Sequence, residues 1–248
     1  MKKLFGKTAL VTGASRGMGR AAALALAEEG AQVLVHYSKG AAEAQAVVAE
    51  IESKGGRAIA VAADLSTPEG AFALAKQVRG IVGERLDILF SNAGVSHSAS
   101  IEDTSVETFD RLFAVNVRAP YFLVQQLLPV LGSGSSVILV SSLAARAAVG
   151  TLSAYAATKG AISTLVTHFA AVLGARGIRV NGIAPGVVDT EMSSFIKTEA
   201  GRDFTLSIQA LKKIAQPEDV AGPVTFLASD DARWITGEVL AVDGGSKL

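Results

Sequence analysis

Tyr155 and Lys159 stand four residues apart in the run Ser153-Ala154-Tyr155-Ala156-Ala157-Thr158-Lys159. On a helix this spacing puts both on one face, one turn from each other. An ammonium beside a phenol favours the phenolate and brings its pKa down from about 10 toward working pH. A tyrosine so placed gives a proton to a developing alkoxide, or accepts one in the reverse direction. Ser142 ends the apolar run 136–141, at the carboxyl edge where open α/β sheets bind ligands. Its hydroxyl is expected to hold a carbonyl oxygen beside Tyr155. A lone Y-x-x-x-K is common by chance, so the pair gains meaning only from what surrounds it.

A second chemical feature lies near the start. Thr12-Gly13-Ala14-Ser15-Arg16-Gly17-Met18-Gly19 separates an apolar run from an alanine-rich helical pattern. Glycines there permit a tight turn, and backbone amides can approach a pyrophosphate at a helix N-terminus. An NAD enzyme of this type carries a carboxylate at the end of the second strand, for the ribose 2′-hydroxyl. Here that strand ends His36-Tyr37-Ser38-Lys39. Arg16 and Lys39 offer positive charge and Ser38 a hydroxyl where a 2′-phosphate would lie, and a guanidinium clamps such a group. The expected cofactor is NADP(H) rather than NAD(H).

The elements that must position these groups follow from the pattern. Strands are predicted over 7–12, 32–36, 57–62, 86–90, 136–141, 178–183 and 238–242, with helical segments near 17–29, 41–54, 68–83, 105–131, 152–176 and 217–228. That alternation predicts a doubly wound α/β fold, a parallel seven-stranded sheet of Rossmann type with helices on both faces. Without repeats or long linkers, residues 1–248 read as a single dinucleotide-binding and catalytic domain. The stretch 186–215 is too long for an ordinary connection and reads as a helical substrate lid.

Composition narrows the partners. The 23 basic and 23 acidic residues cancel and form no basic stripe, so neither nucleic acid nor a membrane surface is an expected partner. Cysteine is absent, which excludes disulfides and thiolate metal sites. His36, His97 and His168 do not cluster, so no metal is expected. His97 reads equally as a pocket or a surface-loop residue. No uninterrupted apolar run reaches the roughly 18 residues of a membrane span, and the chain is expected in the cytoplasm.

Taken together, the motifs resemble those of the short-chain dehydrogenase/reductase family over essentially the whole chain. They are TGASRGMG at 12–19, Asp64-Leu65, Ser91-Asn92-Ala93-Gly94, Asn116, Ser142, YAATK at 155–159, Pro185-Gly186 and VDGG at 242–245. The resemblance implies that Asp64, with Leu65, meets the adenine and that the Asn92-Ala93-Gly94 turn supports the adenosine side. Ser91 stands where many relatives have a second asparagine. Asn116 would hold a water in a proton relay through Lys159, whose ammonium would also bind the nicotinamide ribose. Val188 and Thr190, after Pro185-Gly186, would hold the carboxamide. Helix 160–173 has two apolar faces, which with the resemblance implies a homotetramer.

Within the family the chain looks closest to 3-oxoacyl-[acyl-carrier-protein] reductases. Such enzymes dock an acidic carrier with basic residues before the fifth strand and after the catalytic lysine. Here those regions read Leu131-Gly132-Ser133-Gly134-Ser135-Ser136 and Phe169-Ala170-Ala171-Val172-Leu173, without charge. The preferred reading is therefore reversible reduction of a small ketone or aldehyde, with the carrier-protein enzyme as alternative. A non-catalytic NADP-binding regulator is a further alternative, against which the intact catalytic set argues. Ala144, Ala145, Val149, Leu152, Met192 and Phe195 are the expected pocket residues.

Overall fold

The computed structural model describes residues 2–248. Its strands are β1 (Thr8–Val11), β2 (Gln32–Tyr37), β3 (Arg57–Ala62), β4 (Ile88–Ser91), β5 (Ser136–Val140), β6 (Arg179–Pro185) and β7 (Val239–Val242). Alternate residues of the central strands feed two separate cores. Val11, Val35, Phe90 and Val140 pack on one face, and Leu10, Leu34, Leu89 and Leu139 on the other. Burial on both faces is why these strands are almost uniformly apolar.

The helices are α1 (Gly17–Glu28), α2 (Ala41–Ser53), α3 (Gly70–Val82), α4 (Val106–Phe113), α5 (Ala119–Leu127), α6 (Ser153–Leu173), α7 (Glu199–Ser207) and α8 (Pro217–Ala228). Helices α1, α2 and α8 cover the first face; α3, α5 and α6 cover the second. The strands are all parallel and ordered β3-β2-β1-β4-β5-β6-β7. This is the doubly wound Rossmann architecture, and the winding reverses between β1 and β4, where such folds open a ligand crevice.

One segment departs from the pattern read in the sequence, and the helical lid is seen in detail. The stretch 105–131 is not one helix: a π-helical turn, Ala114–Arg118, separates α4 from α5. The lid region holds a short 3₁₀ segment, Glu191–Lys197, and then α7. Helix α6 with its 3₁₀ end is, by length and composition alone, long and apolar enough to cross a membrane. Its buried residues are a stripe, Ile162, Val166, Ala170 and Leu173, packed into the second core. That is the pattern of a helix lying on a sheet.

Candidate active site

The glycine turn closes on the neighbouring strand end. Gly13 and Gly17 have φ of +64° and +53°, a region that side-chain-bearing residues avoid. A Cβ on Gly19 would lie 2.2 Å from the Gly13 carbonyl oxygen. The buried Thr12 hydroxyl accepts hydrogen bonds from the amides of Asn92 and Ala93, both at 2.9 Å. The Asn92 side chain donates in return to the carbonyls of Thr12 (2.9 Å) and Gly13 (3.2 Å). The ends of β1 and β4 are thus stitched across the switch point. No side chain caps the first turn of α1, so its leading N–H groups, from Gly17 to Gly19, suit an anion. These residues fit a dinucleotide pyrophosphate.

His36 has a place the sequence did not disclose. It is 2 % exposed, and its Nδ1 accepts the Gly13 N–H at 3.1 Å while Nε2 faces the Ala63 carbonyl at 3.1 Å. Burial lowers its pKa to about 4, so the ring is neutral at pH 7 and its proton is on Nε2. The visible signal was a histidine inside an apolar strand just before the positions expected to discriminate the cofactor.

Around the expected adenosine pocket, Ser38 and Lys39 are exposed at the end of β2, Tyr37 is half-buried and Leu65 is buried. Asp64 is held ionised below the usual carboxylate range, mainly by the Ser66 amide, then by the Ser66 hydroxyl. Both bind its Oδ1, at 3.0 and 2.7 Å. Arg16 reaches away from the loop: its Nη1 pairs with Glu191 Oε2 at 2.8 Å.

At the other end, α6 carries Tyr155 and Lys159. Lys159 is 5 % exposed; its Nζ donates to the Val140 carbonyl at 2.8 Å and lies 5.6 Å from the centre of the Tyr155 ring. Burial lowers the amine to about 8. Ser142 sits two residues past β5, where it caps a 3₁₀ turn by accepting the Ala144 N–H at 3.1 Å. Its neighbour Ser141, absent from the sequence reading, donates to the Lys159 carbonyl at 3.0 Å and faces Ser163 Oγ at 2.8 Å.

One expectation needs correcting. The spacing argument had Lys159 lowering the phenol of Tyr155. Burial raises that phenol, and the Ser142 side chain pulls it down only in part. The reason is desolvation: the ammonium is itself disfavoured and is bound to the Val140 carbonyl, so it offsets little of the cost of a phenolate.

Asn116, in the π turn, is 1 % exposed. Its amide embraces Val95, accepting from the N–H and donating to the carbonyl, each at 2.9 Å, and it donates to Thr158 Oγ1 at 3.1 Å. Thr158 in turn donates to the Tyr155 carbonyl at 2.6 Å, another contact unseen in the sequence. Pro120 has no N–H, so the Asn116 carbonyl lacks its regular α-helical donor. Gly94 lies beside this group: a Cβ there would be 3.2 Å from Asn116 Oδ1 and 3.7 Å from Lys159 Nζ.

Beyond β6, Gly186 backs onto Asp243, since a Cβ would meet Asp243 Cβ at 2.9 Å. Val188 is buried, and the Thr190 methyl would lie 3.2 Å from a Cβ on Gly17. The lid therefore starts against the phosphate turn. Ala144, Ala145, Val149 and Leu152 line an open cavity of ≈ 350 Å³ with Arg146, Ala147 and Ala156. Met192 and Phe195, expected there, are not in its lining and are 52 % and 45 % exposed. His97 is exposed; beside it the Ser98 and Thr151 hydroxyls meet at 2.6 Å and the Ala99 N–H donates to the Thr151 carbonyl, tying the loops after β4 and β5. Among the described residues no cluster suits a metal ion.

This arrangement brings a phenol, an amine and a hydroxyl to the carboxyl ends of β4 and β5, on the sheet edge where α1 starts without a side-chain cap. Residues 13–247 match the family described as "Enoyl-(Acyl carrier protein) reductase". A short-chain dehydrogenase from Burkholderia cenocepacia, solved with NADP, superposes with a TM-score of 0.94 at 39% identity, covering 99% of this chain and 100% of that one. The chain is a short-chain dehydrogenase/reductase. Angucycline C-6 ketoreductase LanV, also solved with bound NADP, is 42% identical, with a TM-score of 0.93 over 99% of this chain and 97% of its own. Among curated proteins, L-rhamnose 1-dehydrogenase (NAD(P)(+)) of Sphingomonas sp. is 40% identical over 99% of this reductase and 98% of the relative. This short-chain dehydrogenase/reductase is an oxidoreductase like those relatives.

Proposed function

We propose that this short-chain dehydrogenase/reductase reduces a ketone or aldehyde to an alcohol with NADPH, reversibly, with Tyr155 as the proton donor. The observation that carries the reading is the meeting of Ser142, Tyr155, Lys159 and Asn116 beside the glycine turn. Bound NADPH would supply the hydride that the carbonyl carbon takes up. Ser142 holds the carbonyl oxygen, and Tyr155 gives it a proton as negative charge develops. Lys159 replenishes that proton through a water held at the Asn116 carbonyl and anchors the nicotinamide ribose. Gly13, Ser15, Gly17, Met18 and Gly19 cradle the pyrophosphate, while Arg16, Tyr37, Ser38 and Lys39 face the 2′-phosphate. Asp64, Leu65, Asn92, Ala93 and Gly94 border the adenosine; Pro185, Gly186, Val188 and Thr190 border the nicotinamide.

The substrate we favour is an apolar cyclic or aromatic ketone rather than a sugar. A sugar site needs several hydrogen-bonding groups to match its hydroxyls. The cavity is lined mainly by alanines with Val149 and Leu152; of its two polar side chains, Ser153 and Arg146, the second pairs with Asp243 and the Ser246 carbonyl. The solved ketoreductase for an angucycline fits this choice; the rhamnose dehydrogenase marks the opposite one. Initial rates of NADPH and NADH oxidation with bicyclic ketones, and of cofactor reduction with L-rhamnose, test it. Turnover of the ketones with NADPH is expected; faster turnover of the sugar, or a higher kcat/KM with NADH, would reverse the assignment. The name of the matching family favours a second reading, a carrier-bound acyl thioester, which the same assay includes as a competing substrate.

We further propose a homotetramer acting in the cytoplasm on a small molecule. Exposed apolar side chains support assembly: Tyr121 and Val172, on α5 and α6, are 40 % and 72 % exposed.

A further inference from the structure

We propose that Glu191 is a cofactor-selectivity residue, because it holds the guanidinium that a 2′-phosphate must take over. The inference rests on the NADP(H) reading above. Arg16 lies immediately before α1 with extended backbone, at the rim of the turn that the NADP(H) reading assigns to the cofactor. Its Nη1 is 2.8 Å from Glu191 Oε2, and both side chains remain about 70 % exposed. Glu191 is the first residue of the 3₁₀ segment that opens the lid. The contact is not an isolated meeting of long side chains, since Thr190, one residue earlier, already packs against Gly17. Lid start and phosphate turn are therefore neighbours through backbone-proximal atoms, and the ion pair spans them.

The consequence follows from competition for one cation. A phosphate needs the planar donors of Arg16, and while Glu191 engages them the phosphate must displace a carboxylate or share the guanidinium with it. A cofactor with a plain 2′-hydroxyl makes no such demand. Glu191 thus weakens binding of phosphorylated cofactor only, and narrows the gap between NADP(H) and NAD(H). Exposed pairs are worth about 0.2–1 kcal/mol, which corresponds to about a 1.5- to 5-fold change in affinity. By linkage, ligands carrying the phosphate loosen the lid start by the same factor. Another carboxylate, Glu43, also stands at this rim, its Oε2 3.0 Å from a Cβ built on Gly40, but it makes no ion pair within 4.0 Å with Arg16 or Lys39.

The test uses adenosine 2′,5′-bisphosphate and adenosine 5′-monophosphate, which differ at the 2′ position and lack the nicotinamide that would itself contact the lid. Dissociation constants are measured by calorimetry at low ionic strength for the wild type and for Glu191→Gln, Glu43→Gln and Arg16→Gln. Glu191→Gln is expected to tighten the bisphosphate about two- to five-fold and leave the monophosphate unchanged, with a smaller effect for Glu43→Gln. An unchanged bisphosphate affinity, an equal shift in both ligands, or an equal effect of Glu43→Gln would overturn the proposal. Arg16→Gln separates this from the cofactor reading. Loss of bisphosphate selectivity there upholds Arg16 as the phosphate ligand even if Glu191 proves silent, whereas retained selectivity removes both.

Discussion

Lys159 is an amine held where water scarcely reaches, with one carbonyl as its hydrogen-bond acceptor. Its folded pKa of about 8 lies below the ordinary value of 10.5, so the folded chain binds fewer protons than the unfolded chain between those limits. Stability from this group therefore rises as pH climbs from about 8 to 10.5, and below 8 the buried ammonium is a constant cost. Lys159→Met is expected to abolish turnover while raising urea stability at pH 7 by roughly 1–3 kcal/mol, with the gain shrinking above pH 8. A lower urea midpoint at pH 7 would show that the Val140 contact outweighs desolvation. Tyr155, Lys159 and Ser142 were legible because local spacing places them. His36, Ser141 and Thr158 were not, because their partners Gly13, Lys159 and Asn116 come from other stretches of chain.

The π turn between α4 and α5 is the element that turns Asn116 inward. Its energy balance depends on buried hydrogen bonds, and Thr158, 0 % exposed, both accepts from Asn116 and donates to Tyr155. Thr158→Val keeps the shape and removes the hydroxyl, leaving one Asn116 N–H without that acceptor. Such a loss costs about 1–3 kcal/mol, read as a lower thermal midpoint, and kcat should fall more than NADPH affinity. Equal losses in both would mean that Thr158 supports the fold alone. The sequence could not reveal this turn: apolar periodicity runs through 105–131 and reads as one helix, and only the polar Asn116 hinted at an interruption.

For the whole molecule, the parallel, doubly wound sheet was legible from short apolar strands alternating with helices, since right-handed crossovers leave few ways to wind them, while the order of its strands was not. The lid is different. Its existence showed in its length, but Met192 and Phe195 do not line the cavity, because sequence order says nothing about which way a short 3₁₀ segment faces. Assembly also belongs to this scale. Val172, at 72 % exposure, sits on the outer face of α6, so Val172→Glu should dissociate the proposed homotetramer in sedimentation velocity without unfolding the monomer. A wild-type chain that sediments as a monomer, or a variant that stays assembled, would exclude that face.

The most direct test of the account is Tyr155→Phe, which removes one hydroxyl and keeps the ring. With a ketone substrate found by the assay above, kcat should fall by about 10²- to 10⁴-fold, the range for loss of a general acid. NADPH affinity, followed by nucleotide fluorescence, should stay within about two-fold of wild type. Turnover that survives the substitution unchanged would contradict the assignment of Tyr155 as the proton donor.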